Sequence, residues 1–223
     1  LRLYDLTPAL SRGPYLTRCS SSEITLRWRT DIPTNSVVRW GTVEGSLDQV
    51  LTVPGVVSEH VVRLSGLNAE TRYYYSVGRT GQAYVQGPTF FFVTHPPAGA
   101  VRPFRLWALG DCGTGTSGAG AVRNAFTAWN GSAHTDMVLI LGDNAYSSGL
   151  DNEYQSGFFQ MYPETLRNTV VWPTIGNHDA INADSSTETG PYYSNFTMPK
   201  NGECGGLPSG VSAYYSFDYA NVH

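Results

Sequence analysis

The chain has 223 residues, 41% apolar and only 14% charged, with 24 Gly and 13 Pro, so it holds one large domain or two ordinary ones and is too apolar for disorder. A formal net charge of −4 without any run of Lys or Arg excludes an electrostatic nucleic-acid footprint. No stretch approaches the roughly 20 apolar residues that span a bilayer.

The first residue is Leu1, with no charged-then-apolar leader before the first strand pattern, so a mature or trimmed chain is expected. Asn130-Gly-Ser and Asn195-Phe-Thr are glycosylation sequons of the kind a secreted protein carries, and an extracytoplasmic location is expected. Cys19, Cys112 and Cys204 form an odd set that permits at most one internal disulfide.

Residues 10–95 alternate with a period of two. In EITLRWRT, Ile24, Leu26 and Trp28 fall on one face, with Thr25, Arg27 and Arg29 on the other. SVVRWG, EHVVRLSGL, TRYYYSVG and TFFFVT follow, separated by turn-like DIPTN, GTVEGS, LNAET and GRTGQ. Short antiparallel strands with such punctuation predict a β-sandwich. Residues 96–103, with Pro96, Pro97 and Pro103 among small residues, read as a linker.

From residue 104 the pattern changes. FRLWALG, DMVLILG and TVVWPTIG are buried-strand runs separated by helical stretches, 119–130 with Val122, Ala125, Phe126 and Trp129 at helical spacing, and NEYQSGFFQMYPETLRN interrupted at Pro163. Strand–helix repetition predicts right-handed βαβ units and a largely parallel sheet over 104–223.

All three runs end on Gly plus a polar side chain: Gly110-Asp111, Gly142-Asp143 and Gly176-Asn177-His178-Asp179. Asp143 lies 32 residues after Asp111, and Asn177 lies 34 after Asp143, each about one βαβ unit of roughly 30 residues or more. Sites in open α/β sheets form at these carboxyl ends, so the three tips should converge. Gathered carboxylates repel each other unless a multivalent cation joins them, and carboxylate, amide and imidazole donors suit Mn, Fe or Zn. One bridging carboxylate could serve two ions that activate water and clamp a phosphoryl group. Cys112 should point away from the side that Asp111 serves, and the Gly-rich loop 180–212 carries Cys204 back over the same edge. A Cys112–Cys204 disulfide is expected, with Cys19 the odd thiol.

GDCG (110–113), GDNAY (142–146) and GNHD (176–179) resemble the first three signature blocks of the calcineurin-like metallophosphoesterases, and Tyr146 narrows the likeness to the purple acid phosphatases. PYYSNFTMP and AYYSFDYANV resemble the segments that follow in that branch, and 10–95 is similar to its fibronectin-type-III-like domain. The resemblance implies a dinuclear centre of Fe(III) with Fe, Zn or Mn. Asp111 and Tyr146 would bind the first metal, with Asp143 bridging and Asn177 on the second. His178 would protonate the leaving alkoxide, and water activated by the metals would attack a small phosphate ester.

Two later family blocks, Val-x-x-His and Gly-His-x-His, have no counterpart in 1–223, so an incomplete sequence is expected, with a sheet cut after four strands. His223 lies in a segment that matches a family strand and reads as structural, as do His60, His95 and His134. Besides the phosphatase reading stand a non-catalytic binding or assembly module and a phosphodiesterase or nucleotidase. An oligomer is compatible with all three.

Overall fold

The computed structural model describes residues 7–223. Its N-terminal half contains β1 (Leu10–Cys19), β2 (Glu23–Gly41), β3 (Gln49–Ser65), β4 (Arg72–Arg79), β5 (Gln82–Val85) and β6 (Phe91–Val93). Two long strands replace several of the short ones expected. β2 and β3 pair antiparallel along their length and bend where the register shifts between Arg29, Thr34 and Ser36. The first half of β2 pairs with β1 and the second with β4. DIPTN is therefore a bend within one strand rather than a turn, and Pro33 sits where ladder pairing is interrupted. Ile24, Leu26 and Trp28 from one half share a core with Val38, Tyr75, Val77 and Phe92 from the other, which makes the arrangement a sandwich. His60 is fully buried at the bend, its ring stacked 4.7 Å from Trp28. Its nitrogens contact Thr30 Oγ1 at 3.0 Å and Ser36 Oγ at 2.8 Å, one residue from each side of the bend.

The second half holds β7 (Leu106–Leu109), β8 (Met137–Ile140) and β9 (Val170–Pro173), parallel neighbours in chain order. α1 (Ser117–Asn130) crosses between the first two, capped by Thr116 Oγ1, which accepts from Ala119 N. Of its apolar stripe Phe126 packs, stacked 3.9 Å from Trp107, whereas Val122 and Trp129 are exposed. α2 (Asp151–Glu153) runs into a wider helical turn over Tyr154–Phe159, and Pro163 begins α3 (Pro163–Leu166), where its missing N–H costs nothing. α4 (Pro191–Asn195) follows β9.

The two halves share one sheet. β1 pairs antiparallel with β2 and parallel with β9, through Leu16↔Val170 and Thr17↔Val171. Its side chains divide accordingly: Leu16 enters the sandwich core, and Tyr15 enters the core of the α/β half. This pairing occupies the β9 edge, so the expected fourth strand has no place there. Residues 213–223 instead lie against the sheet face, with Phe217 stacked 3.8 Å from Trp172.

The polar face of β2 is not solvated either. Thr25 and Arg27 are buried, and Arg27 donates to Thr197 Oγ1 and the Ser194 carbonyl of the other half. Arg12, fully buried, donates to Asn195 Oδ1 (2.5 Å), Gln155 Oε1 (2.7 Å) and Asp151 Oδ1 (3.1 Å). Asn195 is thereby fully enclosed, which leaves no room for a glycan on its sequon.

The expected Cys112–Cys204 disulfide is absent: all three cysteines are free and buried. The two belong to different cores, Cys112 to that of the α/β half and Cys204 to the one it shares with Cys19. The loop does return over the sheet, but across the opposite face.

Candidate active site

Asp111 and Asp143 end β7 and β8 in the same unusual way, each in the left-handed region at φ 53° and 54°. The loops interlock: Asp111 N donates to the Gly142 carbonyl, Gly113 N to that of Asp143, and Tyr146 N to that of Gly113. A Cβ on Gly113 would lie 2.1 Å from the Asn144 carbonyl oxygen, so only glycine permits this closeness.

Three of the expected residues converge here. The Tyr146 hydroxyl lies 2.6 Å from Asp111 Oδ1 and 2.7 Å from Asp143 Oδ2. Burial and these two carboxylates together raise the tyrosine pKa. No ion pair among the described residues involves either aspartate. Asp143, 7% exposed, accepts from the His178 backbone N–H through Oδ1 at 3.0 Å.

His178 stands beside this cluster, its ring 4.4 Å from that of Tyr146. Nδ1 lies 2.6 Å from the Ser147 carbonyl, which can only accept, so Nδ1 carries the hydrogen. Asn177 is exposed on the same loop. Among the described residues, no group of three or more His, Cys, Asp or Glu side chains is arranged to hold a metal. The converging set is two carboxylates and a phenol, without an imidazole. His60 and His95 lie buried in other surroundings, and His223 pairs with Asp218 at 2.6 Å.

The sequence assigns no role to the carboxylates beneath the site, although Asp179 closes the third strand tip. Asp179, fully buried, accepts from Asn144 N at 3.1 Å, Asn144 Nδ2 and Gly176 N at 2.8 Å, and Tyr154 Oη at 2.5 Å. It ties the loops after β8 and β9 to the helical turn. Glu153 accepts from the backbone N–H groups of Ser147, Ser148 and Leu150. A carboxylate directly after Asn-His, and acids crowding a predicted helix start in LDNE, were the available signals.

Residues 104–220 match the calcineurin-like phosphoesterase family, and residues 14–94 match the N-terminal domain of purple acid phosphatases. Purple acid phosphatase 1 of Ipomoea batatas is 28% identical over 204 residues, covering 85% of this chain and 41% of its own. Purple acid phosphatase 15 of Arabidopsis thaliana is 25% identical over 228 residues, with the same coverage. The chain thus spans less than half the length of these relatives. Among solved structures, PhoD superposes with a TM-score of 0.60 at 14% identity, over 93% of this chain and 49% of its own. Purple acid phosphatase PPD1 from yellow lupin seeds does so with 0.55 at 17%, over 93% and 41%. Both show the fold: a strand-rich domain followed by part of an α/β phosphoesterase domain. With the phosphoesterase match covering more than half of its residues, the chain belongs to the calcineurin-like phosphoesterases and carries an N-terminal domain of the purple acid phosphatase type.

Proposed function

We propose that the protein is a metal-dependent hydrolase of small phosphate esters. Asp111, Asp143 and Tyr146 hold a first ion, Fe(III), and Asp143 and Asn177 contribute to a second, Fe, Zn or Mn. One observation carries this reading. A single phenolic hydrogen faces two carboxylate oxygens, at 2.6 and 2.7 Å, so one of these close oxygen contacts has no proton to hold it. A hard cation in place of that proton satisfies all three oxygens. The donor set therefore fits the first ion. It does not suffice for the second, which needs donors beyond Asp143 and the exposed Asn177.

Bound there, the ion would supply positive charge to a phosphoryl group and lower the pKa of a nearby water. The chain's own residues orient the reaction. The His178 N–H holds Oδ1 of Asp143 and leaves Oδ2 turned to Tyr146. With Nδ1–H committed to the Ser147 carbonyl, it is the doubly protonated ring of His178 that donates to the leaving oxygen, from Nε2. The Tyr146 ring lies against the imidazole and limits its movement.

The residues 10–95 act as a sandwich domain and 104–223 as the catalytic part, with 96–103 between them. An extracytoplasmic location is supported by the Asn130 sequon, half-exposed at the end of α1. The test of function uses the natural protein. Asp143→Ala should lose bound metal and hydrolysis of p-nitrophenyl phosphate together. Hydrolysis that survives both this change and chelation would sink the reading.

A further inference from the structure

We propose that Glu153 is a positioning residue for His178, and that the sandwich holds it in place through Asp151. The proposal rests on His178 as the proton donor. Seven hydrogen bonds connect these residues. Arg12 and Arg29, both on strands of the sandwich, grip Asp151 at the first position of α2: Arg12 Nη2 to Oδ1 at 3.1 Å, Arg29 Nη1 to Oδ2 at 2.6 Å and Nη2 to Oδ1 at 2.8 Å. Glu153, on the same turn, accepts from Ser147 N at 2.7 Å, Leu150 N at 2.9 Å and Ser148 N at 3.0 Å. The Ser147 carbonyl then receives Nδ1–H of His178 at 2.6 Å.

The loop 147–150 follows Tyr146 directly; Asn182 Nδ2 donates to its Ser148 carbonyl at 2.8 Å and Gly149 packs on the Asp179 backbone, while the N–H groups of Ser147, Ser148 and Leu150 go to Glu153. Three charge-assisted hydrogen bonds to one carboxylate fix its backbone. Burial alone would raise the Glu153 pKa, but the N–H groups of Leu150, Ser148 and Ser147 bring it below the usual value. A fixed Ser147 carbonyl is an acceptor that selects one imidazole tautomer. Nε2 is then the nitrogen that takes up a second proton and releases it to the leaving oxygen, while Nδ1 keeps its own, and the ring cannot turn without giving up a 2.6 Å bond. The sandwich thus contributes to the chemistry without touching substrate. It clamps the helix that carries the carboxylate, and the carboxylate holds the loop that orients the histidine.

The tautomer is directly measurable. Nitrogen-15 NMR of the histidine-labelled chain at pH 8, without added metal, distinguishes Nδ1–H from Nε2–H through two-bond couplings. The His178 signal is assigned by its loss in His178→Gln. His178 should be Nδ1–H in the unaltered chain. Glu153→Ala should release it to a mixture, Glu153→Gln should retain the Nδ1–H form in part because an amide oxygen still accepts, and Asp151→Ala should weaken the preference. The signals of His60 and His95, both buried in the sandwich half, report whether each variant has folded. An Nε2–H tautomer in the unaltered chain would overturn the proposal, as would an unchanged Nδ1–H signal in folded Glu153→Ala. Because the readout needs neither metal nor turnover, its failure is separable from failure of the hydrolase reading.

Discussion

Gly176 packs directly on Asp143: a Cβ on this glycine would stand 2.1 Å from the Asp143 backbone nitrogen and 2.2 Å from its Oδ1. The loop after β9 therefore sets the position of the carboxylate at the end of β8, through the absence of one methyl group. Gly176→Ala must displace Asp143, because the nearer contact is with its backbone nitrogen, which cannot swing aside, and Oδ1 is held by the His178 N–H. An overpacking cost of about 1–3 kcal/mol and loss of metal affinity are expected. Gly110→Ala, in the parallel position after β7, meets nothing closer than the Leu141 carbonyl oxygen at 3.5 Å and should be tolerated. Urea midpoints and metal titrations of the two variants check this; equal behaviour would contradict it.

Acid should weaken the fold before the carboxylates titrate. Burial lowers both His60 and His95 to a pKa of about 4. Both favour the neutral ring in the folded state, so they cost nothing above the unfolded value near 6.5. Between 6.5 and about 4 the unfolded chain takes up protons that the folded chain refuses, and stability falls as pH falls. At about 1.4 kcal/mol per pKa unit, each histidine removes about 2 kcal/mol at pH 5. Urea denaturation at pH 7.5 and pH 5 measures the difference. Asp151, held down to about 2 by Arg29 and Arg12, stays ionised across this window. Constant stability would show that these rings are solvated.

Arg12 joins the two halves from a fully buried position, over the Phe159 ring at 4.0 Å. Arg12→Ala leaves Asn195 and Gln155 without their donor and Asp151 with one guanidinium instead of two. Removing one partner of such a buried network costs roughly 3 kcal/mol or more. Asp151 is still 43% exposed, so most of that loss arises at the enclosed Asn195 and the vacated ring. A midpoint shift below that of Arg63→Ala, an exposed pair with Glu23, would contradict the assignment.

The cysteines should all be free. Burial pushes the Cys112 and Cys204 thiols up to about 12, which makes them unreactive while the chain is folded. Thiol labelling without reductant should find three reactive groups after unfolding and none before. Peptide mass mapping should find Asn195 unmodified. A Cys112–Cys204 peptide would contradict the separation of their two cores.

Much of this site is legible in the sequence because its signals are local. Gly-Asp at the end of an apolar run marks a strand tip, and three such tips at βαβ spacing belong to one edge. Asp111, Asp143, Tyr146 and His178 do meet. What local pattern could not show is pairing across the chain. Nothing in β1 announces that it pairs with β9 as well as β2, although Tyr15 and Leu16, adjacent and both buried, serve two cores. The alternation of β2 reads correctly for Ile24, Leu26 and Trp28, yet Thr25 and Arg27 are buried too, and Arg27 reaches a neighbour 170 residues away in sequence, Thr197. The same non-local packing sends Cys204 to the far face of the sheet and engages the side chain of Asn195.

The role proposed for His178 is checked by His178→Ala in the natural protein. Metal content should be unchanged and hydrolysis slower by about 10²–10⁴-fold, the usual contribution of a positioned acid. Full activity would refute proton donation by this residue.

The central claim is that Asp111, Asp143 and Tyr146 form one cation site. Titration of the chain with Fe(III), followed in the visible, tests it most directly, because a phenolate bound to ferric iron absorbs there and a carboxylate does not. The unaltered chain should develop a visible band, Tyr146→Phe should bind iron without colour, and Asp143→Ala should not bind it. A colourless iron complex of the unaltered chain, or a band that survives in Tyr146→Phe, would contradict the claim.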